Sequence, residues 1–264
     1  MSMKDFQTLI IENDIVITVW LNRPELHNAM NDVMIAEMTQ VFQQIPEDKS
    51  VRLIVLRGKG KSFCAGADLN YMKSIAQFGF EENVKDGKKL AALFQTIYEC
   101  PIPTLAVVHG AAYGGANGLL AACDMVMADE STNFAFSEVK LGIAPATISP
   151  FVIKRIGEFG AKELMMTGKR FKGKEAEKWK LVNHAVAEGK LEEEAERLIK
   201  QILSSGPEAV KATKILIDKV VNNEKSMKDT IGYTAKLIAQ LRASDEGQEG
   251  MAAFLEKRKA NWVE

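Results

Sequence analysis

The chain has 264 residues, 47% hydrophobic and 26% charged, with a formal net charge of −1 and a pI near 6.4. That is the composition of an ordinary folded protein, one large domain or a core with an appendage. It excludes the basic footprint that nucleic acid or an anionic membrane surface would attract.

Cys64, Cys100 and Cys123 are odd in number and widely spaced, so neither a disulfide framework nor a CxxC metal site is expected. No apolar run reaches membrane-spanning length, and Met1-Ser2-Met3-Lys4-Asp5-Phe6 does not read as a signal peptide. A soluble, cytoplasmic protein follows as the expectation.

In chain order, residues 6–12 and 15–21 read as a hairpin around Asn13-Asp14. Asn28 or Asn31 caps a helix running to about Gln44, with Met34, Met38 and Val41 at helical spacing. A strand at 53–56 leads into the small-residue turn Ala65-Gly66-Ala67-Asp68, and a short helix starts near Leu69. Residues 88–98 form a helix closed by Cys100-Pro101. A strand at 104–108 leads into a second small-residue turn, Tyr113-Gly114-Gly115-Ala116, and a helix through 119–122. Segments 124–128 and 134–136 read as short strands. From about Leu191 the pattern is nearly all helical, at 191–203, 209–220, 227–241 and 247–259. The expected organisation is an α/β core over 1–200 and a helical region over 201–264.

The two turns carry the chemistry. Small residues let the backbone approach a ligand, and a helix start exposes unpaired N–H groups. Two such turns converging on one point would form an oxyanion hole from main chain alone. Gly58-Lys59-Gly60-Lys61-Ser62 lacks the glycine spacing of either a P-loop or a dinucleotide fingerprint. His27, His109 and His184 are scattered, with no nucleophile motif around them and no metal-ligand spacing, so metal binding is not expected. Glu138, within Phe134-Ala135-Phe136-Ser137-Glu138-Val139, is a carboxylate in an apolar stretch. It reads either as a salt-bridged loop residue or as a group tuned for proton transfer.

Taken together, Leu21-Asn22-Arg23-Pro24, Ser62-Phe63-Cys64-Ala65-Gly66-Ala67-Asp68-Leu69, Gly110-Ala111-Ala112-Tyr113-Gly114-Gly115 and Ala122-Cys123-Asp124 resemble the crotonase, or enoyl-CoA hydratase/isomerase, superfamily. Ser137-Glu138-Val139-Lys140-Leu141-Gly142 and the terminal Gly250-Met251-Ala252-Ala253-Phe254-Leu255-Glu256-Lys257-Arg258 extend the resemblance over essentially the whole chain.

The resemblance implies an α/β crotonase-like ββα spiral core with a helical C-terminal trimerisation region. It also implies an acyl-CoA substrate, with coenzyme A entering as part of that substrate and no separate cofactor. The Ala67 and Gly115 N–H groups would hold the thioester oxygen, and Glu138 would act as general acid and base. Arg23, Ala65, Gly66, Asp68, Leu69, Phe254 and Lys257 would help bind coenzyme A, the last two from a neighbouring subunit of a homotrimer or homohexamer.

One position departs from the pattern. Typical hydratases of the family carry two glutamates, and Gly118 stands where the first belongs. Gly118→Glu is expected to raise crotonyl-CoA hydration if a carboxylate is all that is missing. The segments 113–124 and 137–150 look most like bacterial methylglutaconyl-CoA hydratases of leucine breakdown, with Lys73 and Lys140 as partners for the extra substrate carboxylate. An enoyl-CoA isomerase working with one glutamate, and a non-catalytic acyl-CoA- or RNA-binding relative, are the alternatives.

Overall fold

The computed structural model describes residues 6–222 and 226–263. It divides into two compact units. One takes the described part of Met1–Cys100 together with Thr104–Ala195, and the other takes Pro101–Pro103 with the described part of Glu196–Glu264.

The first unit opens with strands β1 (Leu9–Glu12) and β2 (Val16–Leu21), an antiparallel hairpin. Helix α1 (Asp32–Gln44) follows, capped by the Asn31 side chain, which accepts from the Met34 N–H. Asn28 is not the cap. It adopts φ 56° and ties the preceding loop together, accepting from the Arg23 N–H and donating to the Lys59 and Ser62 carbonyls.

Strand β3 (Leu53–Gly58) leads through the first turn to α2 (Leu69–Ile75), and α3 (Phe80–Glu99) begins earlier than its 88–98 apolar stripe suggests. The polar first turns of α3 are held because Glu82 accepts from the Gly79 N–H at the helix start. Strand β4 (Thr104–Val108) runs into β5 (Ala111–Tyr113), then α4 (Ala116–Ala122), β6 (Met125–Asp129) and β7 (Asn133–Ala135).

Next comes α5 (Ser149–Thr167), broken at Gly157, whose φ of 76° and ψ of 163° lie outside helical space. That break interrupts the helical period, and with Pro150 at the start it hides this helix from pattern reading. Strand β8 (Arg170–Lys172), helix α6 (Gly173–Lys178) and strand β9 (His184–Val186) complete the core, and α7 (Leu191–Leu203) starts in the first unit and ends in the second.

Six strands form one sheet in the order β1-β2-β3-β4-β6-β9, parallel except for the β1–β2 pair. Strands β5, β7 and β8 form a second sheet. Strands β3 and β4 are buried along their whole length, as a parallel sheet covered on both faces requires. This is the mixed α/β core that the motifs imply.

The second unit holds α8 (Pro207–Val221), α9 (Met227–Ala243) and α10 (Asp245–Leu255). The Glu246 carboxylate accepts from the Glu208 and Ala209 N–H groups at the start of α8. Helix α10 stops at Leu255 rather than near 259, because Lys257 turns left-handed at φ 55°. Arg258 then doubles back onto Glu249 through both of its terminal nitrogens.

Candidate active site

Backbone hydrogen bonds zip the two turns together. The Phe63 N–H donates to the His109 carbonyl at 2.9 Å, the Cys64 N–H to Ala111 at 3.0 Å and the Tyr113 N–H to Cys64 at 3.2 Å. On the other side of the first turn, the Met30 N–H donates to the Gly66 carbonyl and the Asp68 N–H to the Met30 carbonyl. Gly66 has φ 99°, and a Cβ there would sit 3.0 Å from the Tyr113 carbonyl oxygen. The close approach of the turns therefore selects glycine at 66 for space as well as for conformation.

These bonds flank Ala67 without using it. Among the described residues, no protein group accepts the N–H of Ala67 or of Gly115, and none donates to the Ala65 carbonyl. Unused backbone donors are uncommon where chain is packed, so two of them on one cavity wall form a ready anion site. The cavity measures about 440 Å³, and Ala65, Gly66, Ala67, Gly114, Gly115 and Glu138 all line it. The rest of its wall is largely apolar, with Met30, Ile35, Leu69, Met72, Ile75, Leu90, Ile143 and Ile148.

Glu138 lies in a short 3₁₀ turn, Ser137–Leu141, whose entry follows strand β7. Its carboxylate faces Gly114, where a Cβ would stand 3.2 Å from Oε1, and Gly114 takes φ 51°. Oε2 is buried and accepts no hydrogen bond. Burial raises the carboxyl above its ordinary value, opposed only by its own backbone N–H. An apolar setting thus raises the proton affinity of a carboxyl that shares its cavity with the free amides.

The other predicted residues are placed as follows. The Arg23 guanidinium donates to the Ala29 carbonyl and to Asp68 Oδ2, at 2.6 and 2.9 Å. Asp68 also caps α2, with Oδ1 accepting from the Asn70 and Tyr71 N–H groups. This pair pins the first turn to the start of α2. Leu69 is 73% exposed at the cavity rim. Phe254 (83% exposed) and Lys257 belong to the second unit, at the end of α10 and just beyond it. Cys64 precedes the first amide by three positions, but burial pushes its thiol up to about 12, so it supplies no thiolate at neutral pH.

At Gly118 the structure corrects the simplest reading of the missing glutamate. A Cβ there would lie 2.5 Å from Ile148 Cγ2 and 2.7 Å from the Phe94 ring, and all three residues are buried. The space that a first glutamate would need is filled with hydrocarbon. Gly118→Glu would clash rather than restore a carboxylate. Ile148 and Phe94 are the residues that sequence reasoning misses here, since both contacts are long-range. The Tyr71–Asp86 hydrogen bond, between two helices, is likewise invisible to sequence pattern.

The enoyl-CoA hydratase/isomerase family model matches residues 12–264, and the chain belongs to that family. A crystal structure from Legionella pneumophila, provisionally named an enoyl-CoA hydratase/isomerase (crotonase), is 44% identical with a TM-score of 0.91, covering 98% of this chain and 100% of that one. An enoyl-CoA hydratase structure from Shewanella pealeana is 36% identical with a TM-score of 0.91, covering 97% and 96%. Pseudomonas aeruginosa AtuE is 34% identical with a TM-score of 0.93, covering 98% and 100%.

Proposed function

We propose that this chain moves a proton at C2 of an enoyl-CoA thioester, with Glu138 as its one acid–base carboxylate and the Ala67 and Gly115 N–H groups as the oxyanion hole. The observation that carries the reading is the Glu138 carboxyl, its Oε2 buried and accepting no hydrogen bond, on the same cavity as two unused backbone amides. Enolate charge develops on the thioester oxygen as C2 gains or loses its proton. Donors already in place there stabilise the transition state more than the ground state.

In hydration, the water oxygen bonds to C3 while Glu138 takes one water proton and returns a proton to C2, so the elements of water are added and nothing else is consumed. Coenzyme A arrives within the substrate and no further cofactor is invoked. The Ala65 carbonyl is free to accept from the adenine amino group. Gly66, Asp68, Arg23 and Leu69 shape and brace that wall. Phe254 and Lys257 would reach the coenzyme A of a neighbouring subunit in a trimer or a hexamer.

Within this class, 3-methylglutaconyl-CoA is the substrate we favour. Its second carboxylate needs a cation, and none is among the residues lining the cavity. Lys73 is the better placed of the two lysines: exposed, with no protein partner among the described residues, on α2 between Met72 and the wall residue Ile75. The Lys140 stem instead packs at Gly168.

Isomerisation of 3-enoyl-CoA is the second reading, favoured by the hydrocarbon that fills the place beside Gly118. A turnover screen over crotonyl-, 3-methylcrotonyl- and 3-methylglutaconyl-CoA, with a 3-enoyl-CoA alongside, tests both. We expect 3-methylglutaconyl-CoA to give the highest kcat/KM and Lys73→Ala to lower it at least about tenfold for that substrate alone. Turnover of the 3-enoyl-CoA with no hydration of any substrate would select the isomerase, and binding without turnover would remove the enzyme reading.

A further inference from the structure

Beside the acyl cavity lies a second, more polar one of about 550 Å³, lined by Arg23, Asn31, Asp32, Asn70, Lys85 and Lys89 among others. Among the described residues, only Tyr71 and Asp86 line both cavities. They are also bonded to each other: the Tyr71 hydroxyl, on α2, donates to Asp86 Oδ1, on α3, at 2.5 Å. The partition between a polar, open chamber and an apolar one is thus a phenol held by a carboxylate.

Among the described residues, no protein donor other than Tyr71 reaches Asp86, and neither Lys85 nor Lys89 pairs with it. Oδ2 is left free to accept from a ligand. Tyr71 itself stays protonated. Burial and the negative charge of Asp86 and Asp32 raise its hydroxyl further above its ordinary range, so it remains a donor that orients Asp86.

We propose that Asp86, oriented by Tyr71, is the second carboxylate of the acyl cavity, holding the water that Glu138 activates and drawing it from the polar chamber. This deepens the reading of Glu138 and rests on it. Hydration needs the water fixed as well as deprotonated, and position 118 can supply no group to fix it. A carboxylate with one oxygen held and one free accepts a water proton and aims that water's oxygen. Asp86 enters from the α3 wall, on a different element from the usual one. In the reaction it forms no bond and ends as it began. The water oxygen bonds to C3, one water proton passes by way of Glu138 to C2, and the other remains as the product hydroxyl.

The test compares two reactions in the same enzyme: hydration across the three enoyl-CoA thioesters above, and exchange of the C2 hydrogens of butyryl-CoA in heavy water. Exchange needs Glu138 and the amides but no bound water. Asp86→Asn keeps an acceptor for Tyr71, so the fold is retained. It should lower hydration kcat about hundredfold with KM little changed, and leave exchange within about twofold. Asp86→Glu should recover part of the hydration, and Tyr71→Phe should lower hydration less than Asp86→Asn does.

A merely structural staple would move hydration and exchange together, or neither, and either result overturns the proposal. A wild-type enzyme that exchanges but hydrates nothing overturns it as well. Glu138→Gln, run in parallel, separates the two levels. If exchange does not depend on Glu138, the parent reading fails and the Asp86 proposal falls with it.

Discussion

Gly115 and Gly118 open the same helix three positions apart, yet their surroundings are opposite. Near Gly115 a Cβ would meet only the flexible end of Met30, at 2.9 Å, and the N–H is left unused on a cavity wall. At Gly118 a Cβ would strike Ile148 and Phe94, both fully packed. The first glycine presents an unused backbone N–H, and the second is required for its lack of volume. The cavity wall thus keeps a main-chain N–H unused, while the place where a second glutamate would stand is closed by hydrocarbon. On the proposed reading, the difference lets one family motif retain its anion site and lose half of its acid–base pair.

That contrast can be broken at several points, taken from the largest expected effect down. Gly118→Glu should lose several kcal/mol of stability, because it both overpacks the site and buries an unpaired charge. A fall in Tm without any gain in crotonyl-CoA hydration is the expected readout, and a stable, more active variant would refute the packing account. Gly118→Ala should cost about 1–3 kcal/mol by crowding alone, measured by denaturant unfolding.

Glu138→Gln should stabilise the protein near neutral pH, measured as a rise in Tm. The sign follows from the raised carboxyl. The folded state holds that proton more tightly than the unfolded chain, so stability is greatest below the ordinary carboxylate range. It declines as pH climbs from there through the folded value. Glutamine does not titrate, so the gain should vanish in acid and grow as pH rises through the folded value. Gly115→Ala should be the mildest, under about 1 kcal/mol, since Met30 Cε can move aside. A larger loss at 115 than at 118 would invert the contrast.

Much of this was legible in the chain. The turn Ala65-Gly66-Ala67-Asp68 and the run Tyr113-Gly114-Gly115-Ala116 mark both walls, because few other settings call for so many small residues after a buried strand. Strand β4 and helix α1 follow local rules that a sequence displays: an apolar run, and an asparagine cap ahead of spaced methionines. Glu138 stands out by itself only as an odd carboxylate, the family resemblance supplies its expected role, and its pairing with Gly114 needed the fold.

What stayed hidden depends on distant packing. Ile148 meets Gly118 across α5's entry, and Tyr71 meets Asp86 across two helices, so neither pair leaves a spacing to read. Strands β5, β8 and β9 have three residues each, too few for alternation to register.

The most direct test of the central claim is the rate at which the C2 hydrogens of butyryl-CoA exchange in heavy water, for the wild-type protein and for Glu138→Gln. One buried carboxyl beside two free amides predicts measurable exchange that falls about 10²- to 10⁴-fold in the variant while the thioester still binds. Exchange that survives the substitution would mean that another group moves the proton, and would contradict the account.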